Sequence, residues 1–269
     1  MNSISKILHK KSKVCNCALI PFVTAGYPDI STTIQVLYTL EQEGADIIEL
    51  GIPYIDALAD GPIIQQASKI AVEQGTYVEQ VLDILKKVHL KLNTPIIIFS
   101  YYNPILVRGI HKFILEIFNL GVKGLVIPDL PIEETDYLIL LCAKYNIELI
   151  LFVAPTSSTN RISDILSKAP GCLYLISNTG VTGIRTNINY RILKLSKYIK
   201  SKTNKLIMLG FGISSATQVS QVSKWNIDGI VIGSAFMRIL SKNYTQTLNM
   251  NTLNEVGNFC KIVKSSIES

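Results

Sequence analysis

Eight apolar runs of strand length recur along the chain, at residues 18–24, 46–51, 95–101, 124–128, 148–154, 172–177, 205–210 and 229–233. Between them lie the stretches 30–43, 78–90, 112–120, 133–145, 161–168, 188–200 and 216–225, with apolar residues at three- and four-residue spacing, the period of a helix with one buried face. A strand followed by a helix throughout implies parallel strands joined by right-handed crossovers. Eight such units close a barrel, and 269 residues suit one domain of this kind. The predicted fold is therefore α/β, a single TIM (β/α)8 barrel over 1–269 with an extra N-terminal helix. Asp29 stands where the first barrel helix would be capped, and Pro62 and Pro131 stand where a first helical turn tolerates proline. An open doubly wound sheet also alternates strand and helix, but it rarely needs eight consecutive parallel units, and no GxGxxG follows the first strand.

The barrel's mouth is where the chemistry is expected, because the active sites of this fold lie at the carboxyl ends of the strands. Glu49 ends the second run, Ala45-Asp46-Ile47-Ile48-Glu49-Leu50-Gly51. A strand buried on both faces holds a charge at its end only where something offsets the lost hydration, so Glu49 is expected to face a partly solvated pocket. Asp60 follows in Leu58-Ala59-Asp60-Gly61-Pro62. An aspartate before Gly-Pro is often only a turn former, whereas two carboxylates in different environments can divide acid and base work. Phe99, Tyr101, Phe152, Tyr174 and Phe211 fall near strand ends, where they either fill the barrel core or wall a cavity suited to a flat aromatic group.

Two glycine-rich turns close the last strands: Gly210-Phe211-Gly212-Ile213-Ser214 and Gly233-Ser234-Ala235. Glycine lets backbone N–H groups approach an anion, and a helix opening at Ser234 would add its positive end. Strands seven and eight are the customary phosphate site of this fold. The segment Asn178-Thr179-Gly180-Val181-Thr182-Gly183 reads either as a lid that excludes water or as a plain surface loop.

Composition narrows the function classes. The net charge of +6 would suit an anionic substrate, but the lysines are scattered and the aromatics sit inside strand-like runs, so no nucleic-acid partner is expected. Five cysteines without a CxxC pair and three separated histidines, His9, His89 and His111, predict reduced thiols and no metal. No apolar run approaches the roughly 20 residues of a membrane span, and the first residues lack a signal-peptide core, so a soluble intracellular protein is expected.

The motifs, taken in order, resemble the tryptophan synthase alpha chain family over nearly the whole length. The matching segments are Pro21-Phe22-Val23-Thr24-Ala25-Gly26-Tyr27-Pro28-Asp29, Glu49-Leu50-Gly51-Ile52-Pro53, Leu58-Ala59-Asp60-Gly61-Pro62 and Tyr101-Tyr102-Asn103-Pro104, followed by Ile127-Pro128-Asp129-Leu130-Pro131, Gly180-Val181-Thr182-Gly183 and both glycine turns. The resemblance implies retro-aldol cleavage of indole-3-glycerol phosphate to indole and glyceraldehyde 3-phosphate, without metal or organic cofactor. It implies that Glu49 shuttles protons and that Asp60 holds the indole N–H. It further implies an indole pocket of Phe22, Tyr101, Phe152, Tyr174 and Phe211, a lid residue, Thr182, that contacts Asp60, and a phosphate cradle of Gly183, Gly212, Ile213, Gly233 and Ser234. The implied partner is a tryptophan synthase beta chain in an alpha2-beta2 heterotetramer.

Two positions depart from the family pattern. Ile55-Asp56-Ala57 stands where Ser-Asp-Pro is usual, and Asn178 where arginine often stands. The first departure bears on partner coupling, since that loop faces the beta chain in family complexes and loses a proline's stiffness. Rival readings are another phosphate-binding barrel enzyme, such as a sugar-phosphate epimerase, or a stimulatory subunit with little activity of its own; a free-standing indole-releasing lyase is a third. The first usually needs metal-ligand histidines or a strand-end lysine, and the second does not explain both carboxylates. Richness in Ile, Asn and Lys suggests an AT-rich genome, and the stretch 124–131 is similar to cyanobacterial and plant members. An algal plastid is the expected location, and the lack of a transit peptide would then mean plastid encoding.

Overall fold

The computed structural model describes residues 2–14, 17–176, 190–210, 212–242 and 250–268. Eight strands form a closed barrel in sequence order: β1 (Ala18–Thr24), β2 (Ile48–Gly51), β3 (Ile96–Phe99), β4 (Gly124–Val126), β5 (Glu148–Val153), β6 (Leu173–Ile176), β7 (Ile207–Gly210) and β8 (Gly229–Ile232). Every neighbouring pair is parallel, and β1 closes on β8 with Ala18 opposite Gly229. The strands are shorter than several of the apolar runs that announced them, because the ladder ends where the chain turns out at the mouth. Tyr101 thus lies beyond β3 at the mouth, while Asp46 lies before β2 at the opposite end.

The described helices are α1 (Ser3–Ser12), α2 (Ile30–Gln42), α3 (Pro62–Glu73), α4 (Val78–Val88), α5 (Tyr102–Arg108), α6 (Ile110–Asn119), α7 (Thr135–Lys144), α8 (Thr159–Lys168), α9 (Tyr190–Lys202), α10 (Ala216–Val222), α11 (Ser234–Lys242) and α12 (Met250–Glu268). Asp29 caps α2, its Oδ1 accepting the Thr32 N–H at 2.8 Å, and Pro62 opens α3. Pro131 instead precedes a short 3-10 turn, Ile132–Glu134, that leads into α7.

Helix α1 plugs the lower, N-terminal end of the barrel. Asn2 Oδ1 caps it by accepting the Ile4 N–H at 3.2 Å, and Ile4 and Leu8 are fully buried. The plug needs Gly229 against it, since a Cβ there would lie 2.9 Å from Leu8 and 3.0 Å from Ile20.

Three carboxylates, Glu148 and Asp228 buried and Asp46 partly so, bind the same rim together, each accepting a backbone N–H from an adjoining strand or its approach. Asp46, before β2, accepts Leu19 N–H of β1 at 2.8 Å and is flanked by Lys11 at 2.9 Å and Lys264 of α12 at 2.6 Å. Glu148 of β5 accepts Cys172 N–H, ahead of β6, at 2.6 Å, and the Ser5 hydroxyl of α1 at 2.6 Å. Asp228, before β8, accepts Ile207 N–H of β7 at 2.7 Å and Lys200 of α9 at 2.6 Å. Charge-assisted bonds of this kind hold strands in register more firmly than neutral ones.

Candidate active site

Strand alternation sorts the inner face of the barrel. Phe22 of β1 pairs with Glu49 of β2, and Phe152 of β5 with Tyr174 of β6, so each pair projects the same way. The Phe22 ring lies inside, because a Cβ on Gly51 would meet it at 2.6 Å and one on Gly233 at 3.1 Å. Phe22 and Phe99 meet edge to face with ring centroids 5.6 Å apart, Phe99 and Tyr101 at 6.0 Å, and Phe152 and Tyr174 at 4.7 Å. Aromatic rings from β1, β3, β5 and β6 thus gather around the same interior as Glu49.

Glu49 is fully buried. Its Oε2 accepts a long hydrogen bond, 3.4 Å, from the Tyr174 hydroxyl, and its Oε1 has no hydrogen-bond partner among the described residues. Burial raises its carboxyl from the ordinary 4.5 to about 8, the nearby Asp60 charge adds to the rise, and the Tyr174 bond opposes it. Such a group keeps a proton at neutral pH and can still release it.

Asp60 is placed by the turn between β2 and α3 and is nearly as buried. Its Oδ2 accepts the Tyr101 hydroxyl at 2.9 Å, and the same Tyr101 oxygen accepts the Ala59 N–H at 3.0 Å. The aspartate is therefore held from the end of the neighbouring strand β3, which separates it from the simple turn former that its sequence context also allowed. Burial lifts it to about 7 against the pull of the Tyr101 bond. The loop between the carboxylates is tied as well: Ala57 is buried, and its carbonyl accepts Asp60 N–H and Gln65 Nε2, both at 3.1 Å.

On the other side of the mouth, Gly212 takes φ +91°, a conformation that a side chain would strain. Ile213 is buried, and Gln218 closes the turn by accepting the Ser214 N–H at 2.9 Å. Only Gly233 separates β8 from α11, whose first residue is Ser234, and the Gly233 carbonyl accepts the Met237 N–H at 3.0 Å. Thr182, Gly183 and Phe211 lie outside the described residues, as do Asn178 and the rest of the segment read as a lid.

Sequence reading missed two contributors. Ile64 of α3 sits where Phe22 and Gly233 meet, 3.3 Å from a Cβ built on the glycine. Tyr54, from the β2–α3 loop, stacks on Tyr101 with centroids 5.3 Å apart. Neither carries a motif of its own, and only their nearness to Glu49 and Asp60 in the chain could have flagged them. Among the described residues no group of three or more His, Cys, Asp or Glu could hold a metal ion.

Fold and site together define a (β/α)8-barrel protein with a buried carboxylate pair at its mouth. A family profile described as tryptophan synthase alpha chain matches residues 8–267, and the chain is 59% identical over 269 residues to the tryptophan synthase alpha chain of Gracilaria tenuistipitata var. liui, covering 100% of this chain and 98% of that one. The chain belongs to the tryptophan synthase alpha chain family, lyases that cleave indole-3-glycerol phosphate in tryptophan biosynthesis. It is 45% identical over 268 residues to the alpha chain of Microcystis aeruginosa, covering 100% of each. The solved alpha subunit of Legionella pneumophila str. Paris superposes with a TM-score of 0.89 at 28% identity, over 100% of this chain and 99% of that one.

Proposed function

We propose that this chain, as one barrel domain over 1–269, cleaves indole-3-glycerol phosphate by a retro-aldol step in which Glu49 moves both protons and Asp60 holds the ring. Breaking the bond between indole C3 and the glycerol chain requires a proton at C3 and loss of the proton from the adjacent hydroxyl. The electron pair of that O–H then becomes the carbonyl of glyceraldehyde 3-phosphate, and the pair of the broken bond returns to the indole ring. A carboxyl near neutrality can give one proton and take the other. Asp60, ionised, accepts the indole N–H and balances the positive charge that develops on the ring. The aromatic rings of Phe22, Tyr101, Phe152, Tyr174 and Phe211 enclose the indole, and Thr182 belongs to the closing segment.

The observation that carries this reading is the buried Glu49 Oε1, without a hydrogen-bond partner among the described residues, in the same interior as an Asp60 held by Tyr101. For phosphate, Gly212, Ile213, Gly233 and Ser234, with Gly183, offer backbone N–H groups and the positive start of α11.

The partner is a beta chain in an alpha2-beta2 assembly. Ile55 and Leu58, 65% and 82% exposed beside the buried Ala57, give the site's rim an apolar face for it. The location is the plastid stroma, supported by relatives from red algae and by the Ile-, Asn- and Lys-rich composition. Purified chain should release indole from indole-3-glycerol phosphate, faster with a beta chain, and gel filtration of the mixture should show the complex. No indole under either condition would overturn the reaction. Full activity alone with no complex would overturn the partner.

A further inference from the structure

Thr24 closes β1 two residues beyond Phe22, so alternation turns its side chain to the interior that Phe22 faces. It is 1% exposed, and with Glu49 Oε1 its hydroxyl is one of two buried side-chain oxygens without a hydrogen-bond partner among the described residues. Buried hydroxyls are seldom left unpaired, because desolvation is then uncompensated. The second such oxygen belongs to the acid–base residue of the proposed reaction.

Position gives the hydroxyl a task. Strand β1 lies between β2, which carries Glu49, and β8, which leads into Gly233 and Ser234. Thr24 pairs with Gly51, one layer above the Phe22–Glu49 pair, and Pro21 pairs with Ile232, so Thr24 also stands above the level of Gly233. A substrate with its indole at Glu49 and its phosphate at β8 must carry its glycerol chain past the end of β1. That chain bears two hydroxyls: the one on the carbon bonded to the ring surrenders its proton, and the next takes no part in bond breaking.

We propose that the Thr24 hydroxyl hydrogen-bonds this second, non-reacting hydroxyl and so sets the reacting carbon–carbon bond against Glu49. Thr24 is thus a positioning residue, and the assignment rests on the reaction proposed above. It also predicts preference for a hydroxylated linker between ring and phosphate, since a site that leaves a polar group unpaired selects against the ligand that cannot pair it.

The test compares wild type, Thr24→Val and Thr24→Ser on indole-3-glycerol phosphate and on 3-(indol-3-yl)propyl phosphate, whose linker has no hydroxyl. Expected for the valine variant is a loss in kcat/KM of about 3- to 30-fold, the worth of one such bond. Its affinity for the propyl ligand should be unchanged, its unliganded Tm equal to or above wild type, and the serine variant should keep wild-type kinetics. Unchanged kcat/KM in the valine variant, equal loss for both ligands, a lowered Tm or failure of serine to rescue would each overturn Thr24's role while leaving the reaction standing. A wild-type chain that releases no indole overturns both.

Discussion

The Tyr101 hydroxyl reaches Asp60 Oδ2 at 2.9 Å across 41 positions of sequence, and in doing so it ties the end of the third strand to the loop that follows the second. A hydrogen bond to a carboxylate favours its charged form, so this contact counteracts the burial that would otherwise keep Asp60 protonated. The aromatic wall and the carboxylate pair are therefore one apparatus: the ring that flanks the pocket also tunes the aspartate.

Tyr101→Phe should raise the Asp60 carboxyl above about 7. If activity needs the ionised aspartate, the acid limb of the kcat/KM profile then moves to higher pH, and activity at neutrality falls by about 10-fold for one lost bond to a charged group. A pH–rate profile of indole release with an unmoved limb would count against Asp60 acting as the anion.

Glu49→Gln should lower indole release by about 10²- to 10⁴-fold while the fold is retained, the usual weight of a positioned acid–base group. Near wild-type turnover in a continuous indole assay would refute the shuttle.

The same substitution should stabilise the protein, and only at higher pH. Unfolded Glu49 loses its proton near 4.5, whereas the folded group holds it to about 8. Between these values the unfolded chain binds fewer protons, so stability drops as pH rises. Thermal midpoints of Glu49→Gln and wild type should agree near pH 4 and diverge in favour of the variant as pH rises towards 8, the difference in stability reaching as much as a few kcal/mol.

Gly212→Asp joins a strained backbone to an unfavourable charge, since Gly212 lies at φ +91°. Product inhibition by glyceraldehyde 3-phosphate should weaken at least 10-fold, a loss of about 1.4 kcal/mol. Unaltered inhibition would remove that turn from the phosphate site.

Asp228→Ala should cost about 3 kcal/mol, because it leaves Lys200 and the Ile207 N–H without their shared acceptor. Denaturant unfolding measures the loss. Cleavage by the folded fraction should persist, as the residue lies at the end of the barrel opposite Glu49.

The barrel was legible in the sequence because every strand is buried on both faces and therefore reads as an unbroken apolar run. Of α3 only the start, at Pro62, was marked, and α5 and α12 were not: α3 and α5 follow directly on motif-bearing turns, and α12 has no strand after it to mark its end. Glu49 was conspicuous as a charge in an apolar run. Asp60 stayed ambiguous, since the bond that distinguishes it comes from Tyr101, and residue spacing does not encode a contact between the ends of neighbouring strands. Thr24 stood inside a family motif without a role of its own, for a hydroxyl left unpaired among the described residues is defined by what surrounds it. The carboxylates of the lower rim were equally silent, Asp46 appearing only as the polar start of an apolar run.

That rim has a consequence for how the molecule can change. Asp46, Glu148 and Asp228 cinch strands one to two, five to six and seven to eight by bonds that involve nothing at the mouth. The mouth carries the oxygens left unpaired among the described residues, and the opposite end supplies the firmness to bear them. Loops at the mouth can accordingly be rebuilt for a new substrate while the hoop stays closed, which makes this chain a scaffold whose capacity for new activities is set at the end farthest from them.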